Sequence, residues 1–358
     1  ALWADIDDDG VLYLRVSNHR ESETIPEEML SGSMEPAHSN RAWRNDEGAF
    51  VELTEDFPDA WRYAFTFVTA WEDFDGDGRS DLYMANDFGP FATPNGLFLD
   101  GTQLQTGTGL EVAAYSMGLA IGELNGDGVP DLFVTSWEDV VLLLSDGAGG
   151  WYRAEGALGL TLRPDQHASW GTHFADLDND GDQDLVAAFG ELWMGEEAGQ
   201  VMEDSFGLTN PKGQTDGAWR NDGGTFTDVA VEWGLDQDGR GRSVEPIDLN
   251  QDGWLDLVKR EQDGAAKALM ARCGEQTWLS VTLEQPGPNP DAIGAIVRVG
   301  DQTRVLRAGG QGAGGSLPPS AHFGLGEQDR VDVEITWPDG ETTQVLDLAT
   351  RQHVRVRP

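Results

Sequence analysis

Five stretches of the chain place acidic or amide side chains at alternating positions, a pattern that suits the binding of a cation. They are Asp5-Ile-Asp7-Asp-Asp9-Gly10-Val-Leu-Tyr13, Asp73-Phe-Asp75-Gly-Asp77-Gly78-Arg-Ser-Asp81, Glu123-Leu-Asn125-Gly-Asp127-Gly128-Val-Pro-Asp131, Asp176-Leu-Asp178-Asn-Asp180-Gly181-Asp-Gln-Asp184 and Asp248-Leu-Asn250-Gln-Asp252-Gly253-Trp-Leu-Asp256. Carboxylates at positions one, three, five and nine, with a carbonyl near seven, wrap hard oxygen ligands around one calcium ion. Glycine at position six permits the backbone reversal that turns the ligands inward. Without a cation the acids repel one another. The loops at Asp73 and Asp176 keep all four acids. Glu123 with Asn125, and Asn250, keep oxygen ligands at lower charge, and Tyr13 replaces the last acid of the first loop and weakens it. The expectation is about four to five calcium ions.

An EF-hand is the main competitor and fails. Its bidentate Glu at position twelve is replaced by Met84, Val134, Ala187 and Lys259. It also needs flanking helices, whereas these loops run into Asp81-Leu-Tyr-Met-Ala, Asp131-Leu-Phe-Val-Thr, Asp184-Leu-Val-Ala-Ala and Asp256-Leu-Val-Lys, which read as short, buried inner strands.

Loop starts are separated by 68, 50, 53 and 72 residues, so a unit of about 50 residues carries insertions in its first and fourth copies. Ala42-Trp-Arg-Asn-Asp-Glu-Gly-Ala-Phe50 and Ala218-Trp-Arg-Asn-Asp-Gly-Gly-Thr-Phe226 are near copies in the same phase, and Leu143-Leu-Ser-Asp-Gly-Ala-Gly-Gly-Trp151 is a looser one. Each reads as strand, Asn/Asp-Gly turn, strand. Loop, strand, hairpin and a strand leading onward make about four strands per unit, the size of one propeller blade. Residues 1–272 therefore read as a calcium-binding β-propeller, five to six blades by length. Residues 273–358 read as a small β-sandwich: Trp278-Leu-Ser-Val-Thr-Leu, Ile296-Val-Arg-Val, Arg304-Val-Leu-Arg and Val333-Glu-Ile-Thr-Trp alternate apolar and polar residues with period two.

The net charge of −41 comes from 64 acids and 23 bases. Seventeen acids stand at the loop positions, and the rest still outnumber the bases about twofold. That excess repels nucleic acid and anionic membranes. With 39% hydrophobic residues and 13 Trp the chain is too apolar for disorder. No apolar run is long enough to span a membrane as a helix. The single cysteine, Cys273, excludes an internal disulfide and has no activating neighbour, so it reads as a small packing residue. The chain opens in mid-motif at Ala1-Leu-Trp-Ala-Asp5, so the lack of a signal peptide carries no information.

The loops, together with Met84-Ala-Asn-Asp-Phe-Gly-Pro90, Ser116-Met-Gly118 and the Asn-Asp-Gly-Gly-x-Phe hairpin, resemble the FG-GAP/VCBS repeats of integrin-like propellers. Gly294-Ala-Ile-Val-Arg-Val299, Ala321-His-Phe-Gly-Leu-Gly326, Val331-Asp-Val-Glu-Ile-Thr-Trp-Pro-Asp-Gly340 and Val354-Arg-Val-Arg resemble the ASPIC/UnbV domain of the cartilage acidic protein-like family. Repeat and tail follow the family's order. The resemblance implies an all-β chain of up to seven blades, and a secreted or periplasmic calcium-stabilised scaffold. One departure is Gly309-Gly-Gln-Gly-Ala-Gly-Gly-Ser316, where relatives usually carry an aromatic.

Insertions from His19 to Asn40 and from Glu191 to Asp216 occupy corresponding places, so both would emerge on one face and roof the central channel. They carry Met29, Met34, Met194 and Met202 with several Glu, a candidate site for a protein or small-molecule ligand. No Gly-x-Ser-x-Gly elbow, His-Glu-x-x-His helix or phosphate-cradling loop is present. His167 and His173 flank Trp170, and His19 and His38 lie in the first insertion; with Glu they offer transition-metal or acid–base chemistry. His322 reads as structural. The favoured reading is an extracellular binding or adhesion module. An enzyme of the secondary-metabolite tailoring kind, using the propeller face or an additional metal site, and a subunit of a surface assembly are the alternatives.

Overall fold

The structure, a computed structural model, describes residues 1–5, 10–19, 38–46, 48–192, 200, 203–205, 207, 213–272, 274–309 and 315–358. Asp7, Asp9, Cys273 and the interiors of both insertions lie outside these residues. The alternation seen in sequence becomes five successive antiparallel sheets. The first is β1 (Leu2–Ala4), β2 (Tyr13–Val16), β3 (Arg41–Asp46) and β4 (Ala49–Glu52). A short turn of helix, α1 (Asp59–Arg62), leads to the second: β5 (Thr66–Glu72), β6 (Asp81–Asn86), β7 (Gly96–Leu99) and β8 (Gln103–Leu104). The third is β9 (Gly118–Gly122), β10 (Asp131–Thr135), β11 (Val140–Ser145) and β12 (Trp151–Arg153). The fourth is β13 (Ser169–Ala175), β14 (Asp184–Phe189), β15 (Gly217–Asn221) and β16 (Phe226–Asp228). The fifth is β17 (Gly241–Ile247), β18 (Asp256–Glu261) and β19 (Lys267–Leu269).

Each sheet is a meander in chain order, and the first strands of successive sheets lie side by side: β1 by β5, β5 by β9, β9 by β13, β13 by β17. This is the arrangement of propeller blades. The acidic loops join the first strand of each sheet to the second. The strand after the second, third and fourth loops is fully buried as expected, and those after the first and fifth only in part; each is second in its sheet rather than innermost, and the strand before the loop holds the centre. Apolar faces meet between sheets. Val68, Tyr83 and Leu97 pack on Leu119, Leu132 and Val141, and Phe133 and Leu142 on Leu185, Phe189 and Trp219. Each fully buried side chain of this size contributes about 1.5–3 kcal/mol.

The C-terminal residues form a sandwich. One sheet is β24 (Ala321–Gly326), β20 (Thr277–Leu283) and β27 (Gln352–Val356); the other is β22 (Gln302–Val305), β21 (Ile296–Val299), β25 (Arg330–Thr336) and β26 (Thr342–Ala349). Leu279, Val297, Phe323 and Ile335 fill the space between them. One short strand leaves the sandwich: β23 (Ala308–Gly309) pairs with the free edge of β1. A Cβ at Gly309 would stand 2.4 Å from the Ala1 carbonyl oxygen, and one at Gly315 would overlap Glu245 of β17. Gly309 and Gly315 thus closely approach the first strand of both end sheets.

Candidate metal centres

Each acidic loop is held by its own backbone. The carboxylate at position one accepts the N–H of the position-six glycine: Gly78 to Asp73 Oδ2 at 2.9 Å, Gly181 to Asp176 Oδ2 at 2.9 Å, Gly253 to Asp248 Oδ2 at 2.8 Å and Gly10 to Asp5 Oδ2 at 2.8 Å. In the third loop Glu123 Oε1 accepts Gly126 N–H at 2.6 Å instead. Position four also adopts the left-handed conformation, at Gly76, Gly126, Asn179 and Gln251, where Gly and Asn are the tolerant residues. The position-four signal was present in the sequence beside the glycine at position six.

Two loops gather a set of oxygens. Carboxylate oxygens of Asp73, Asp75 and Asp81 lie within 4.8 Å of one another, as do those of Asp176, Asp178 and Asp180. Asp77 turns aside to pair with Arg79 at 2.6 Å. Burial pushes Asp176 up to about 7 and Asp180 up to about 6, and nearby carboxylates add to both. Asp178 Oδ1 is buried with no hydrogen-bond partner. Crowded all-oxygen donors with an unpartnered buried oxygen fit a hard divalent cation. In the reduced-charge loops, Asn125 Oδ1 and Asn250 Oδ1 each accept a backbone N–H, from Asp127 at 3.0 Å and Asp252 at 3.1 Å. Asp127 and Asp252 in turn accept Val129 N–H and Trp254 N–H, both at 2.9 Å.

The ninth-position acids have a second task. Asp81 accepts Phe74 N–H (3.0 Å) and Asp100 N–H (2.9 Å); Asp131 accepts Leu124 (2.7 Å) and Ser145 (2.8 Å). Asp184 accepts Leu177 (2.8 Å) and Asn221 (2.9 Å), and Asp256 accepts Leu249 (3.0 Å) and Ala271 (2.8 Å). One oxygen ties the loop's second residue and the other ties the outer part of the sheet. Burial pushes Asp81 up to about 6, Asp131 to about 7 and Asp184 to about 9. Tyr13, at this position in the first loop, is buried.

The sandwich sits directly on these loops, which sequence reasoning missed. Gly326 N–H donates to Asn179 O at 2.9 Å, and His322 Nε2 lies 3.1 Å from Gly253 O. His353 Nε2 lies 3.3 Å from Asp248 Oδ2. Arg307 pairs with Glu72 just before the second loop, and Arg304, buried near Asp176, is lowered to about 10 by that burial. A cavity of about 710 Å³ remains between the two parts, lined by Asp176, Asp248, Arg304, His322 and His353. The glycines of His-Phe-Gly-Leu-Gly were the available signal. His322 faces the Gly253 carbonyl and belongs to neither acidic cluster.

At the opposite ends of the inner strands an aromatic cluster joins Phe65, Phe88, Met117, Trp137 and Trp170, with Phe67, Tyr115 and Leu192 against it. His19 stacks on Phe67 with centroids 4.5 Å apart and meets Asp87 at 3.0 Å. His167 Nδ1 meets Glu138 at 2.9 Å, and His173 meets Glu245 at 2.7 Å inside the array. Phe88 and Glu138 both hold positive φ, the uncommon conformation for such residues. Neither acidic cluster includes a histidine.

Comparison with known proteins agrees with this geometry. The FG-GAP-like repeat family matches residues 73–134 and 123–187, and the ASPIC and UnbV family matches residues 285–358. Cartilage acidic protein 1 of Xenopus tropicalis is 27% identical over 296 residues, 75% of this chain and 43% of that protein. The Homo sapiens protein is 34% identical over 116 residues, 30% of this chain and 17% of that protein. The chain therefore spans less than half the length of these relatives. A rhamnogalacturonan lyase of Bacillus licheniformis aligns over 100% of this chain and 71% of its own at 13% identity, with a TM-score of 0.35, too low to define a shared topology. The chain is thus homologous to cartilage acidic protein 1, with FG-GAP-like repeats followed by an ASPIC and UnbV domain.

Proposed function

We propose that this chain is a secreted calcium-binding scaffold that presents a ligand-binding face for protein or small-molecule partners. We divide it into a propeller, residues 1–272, and a sandwich, residues 273–358. The observation that carries the reading is the pair of three-carboxylate clusters in the second and fourth loops. Calcium supplies the positive charge that these acids lack. The reduced-charge loops bind more weakly, and Asp5 with its neighbours Asp7 and Asp9 forms the weakest site. Extracellular modules bind calcium with dissociation constants of about 10⁻⁴–10⁻³ M, which suits loops of this kind outside the cell.

The ligand-binding face is the end away from the loops. Both insertions depart from the aromatic cluster there: His19 stacks on Phe67, and Leu192 packs on the same group. The cluster is itself buried and anchors the bases of both insertions, beside carboxylate–histidine pairs of the kind that orient a ligand in a mostly apolar site. The reading is tested by titrating calcium into chelator-treated protein in a calorimeter and melting both forms. Heat from two or more sites and a higher melting temperature with calcium are expected. No heat and an unchanged melt overturn it.

A further inference from the structure

The first sheet holds a charge that its packing does not balance. Arg15 stands on β2 at the loop position where the other repeats carry Tyr83, Phe133, Val186 and Val258. It is 3% exposed, between the first and second sheets. Its guanidinium carbon lies 4.4 Å from the ring centroid of Trp61, 5.2 Å from Trp71 and 5.8 Å from Phe57. Among the described residues no carboxylate pairs with it, and its Nε and Nη1 are buried without a hydrogen-bond partner. The indole Nε1 groups of Trp61 and Trp71 are buried without an acceptor as well.

Three neighbouring side chains therefore bring only donors, and one of them is a cation. Arginine does not shed its proton. Aromatic faces offset about 0.5–2 kcal/mol of a desolvated charge, whereas burying an ion unpaired costs several kcal/mol. A water molecule would accept a bond but leave the charge in place. An anion answers both needs. It must be small, because Trp61 and Ala64 are 0% exposed and Phe57 stacks on Trp61 at 4.4 Å.

We propose that Arg15, with the indole N–H groups of Trp61 and Trp71, holds a small inorganic anion, chloride in ordinary salt, between the first two sheets. The test melts the full chain in sodium chloride and in sodium gluconate at equal ionic strength and fixed calcium, because gluconate is too large to enter. The wild type is expected to melt about 2–4 °C higher in chloride, and Arg15→Met, similar in shape but uncharged, is expected to lose that difference. Equal melting of the wild type in both salts, or the same difference in Arg15→Met, overturns the site. Should Arg15→Met fail to fold, wild-type crystals grown in bromide decide. An anomalous peak in contact with Arg15 and the two indoles supports the site, and no peak there overturns it.

Discussion

A carboxylate at the ninth loop position ties two backbone N–H groups and also stands at the spacing of a cation ligand, and substitutions separate the two roles. Asp184 accepts two backbone N–H groups, and burial raises it to about 9, while Asp178 leaves a buried oxygen without a partner. Asp184→Asn sets an amide N–H against one of those donors and costs about 1–3 kcal/mol. Its melting temperature should fall with calcium and in chelator alike. Asp178→Asn should lower the melt only when calcium is present, because it replaces a charged ligand by a neutral oxygen and relieves repulsion. A loss of the same size for both variants in chelator would show that Asp178 is also a backbone tie. The raised acids give the metal-free protein a pH dependence of definite sign. Asp131 and Asp176 at about 7 and Asp184 at about 9 lie above the ordinary 3.8, so folding takes up protons. Their contribution is present at low pH and fades as pH rises through these values. Chelated protein should therefore melt several degrees higher at pH 5 than at pH 8, and calcium should reduce or reverse the gap. A chelated melt that rises with pH refutes this.

At the scale of elements, the loops, the hairpins and the strands of both parts were legible because each rests on local chemistry: glycine for reversal, period-two alternation for strands, Asn/Asp-Gly for turns. Three things were not legible. Asp81, Asp131, Asp184 and Asp256 occupy the same spacing whether they hold a cation or an N–H group. The innermost strand could not be told from the second, since both are apolar runs. The seat of the sandwich depends on contacts between residues far apart in sequence. Its key positions are glycines whose reason lies in another element. A Cβ at Gly324 would stand 2.1 Å from Asp176 Oδ2 and 2.4 Å from Asn179 Cα, and one at Gly253 would fall 1.6 Å from the Trp278 ring. Gly324→Ala thus forces β24 away from the fourth loop while its other face keeps the sandwich core. Overpacking of this kind costs about 1–3 kcal/mol. The expected readout is faster proteolysis between Leu269 and Thr277, with the circular dichroism of the strands retained. Unchanged cleavage would mean that the fourth loop yields rather than the sandwich.

Over the whole molecule the two parts meet on the same surface that would hold calcium, so cation binding and docking are expected to be linked. Asn179 presents its carbonyl to Gly326 from a left-handed backbone, and Gly253 presents its carbonyl to His322 and to the Asn179 side chain. Both carbonyls belong to acidic loops whose shape depends on what neutralises Asp176, Asp178, Asp180, Asp248 and Asp252. Chelation should loosen that shape and release the sandwich before either part unfolds. Linkage requires the reverse effect of equal size: a protein that cannot dock must bind calcium more weakly at the fourth and fifth loops. The residue before the second loop, Glu72, pairs with Arg307 of the sandwich region, and this loop should change less. Calorimetric titration of Gly324→Ala is the decisive measurement. The tightest sites should split into a class near wild type and a class weakened about fivefold or more, as expected for a coupling of about 1–3 kcal/mol. Uniform affinities equal to wild type, with docking lost, would show that the sandwich rests on the loops without sensing the ion.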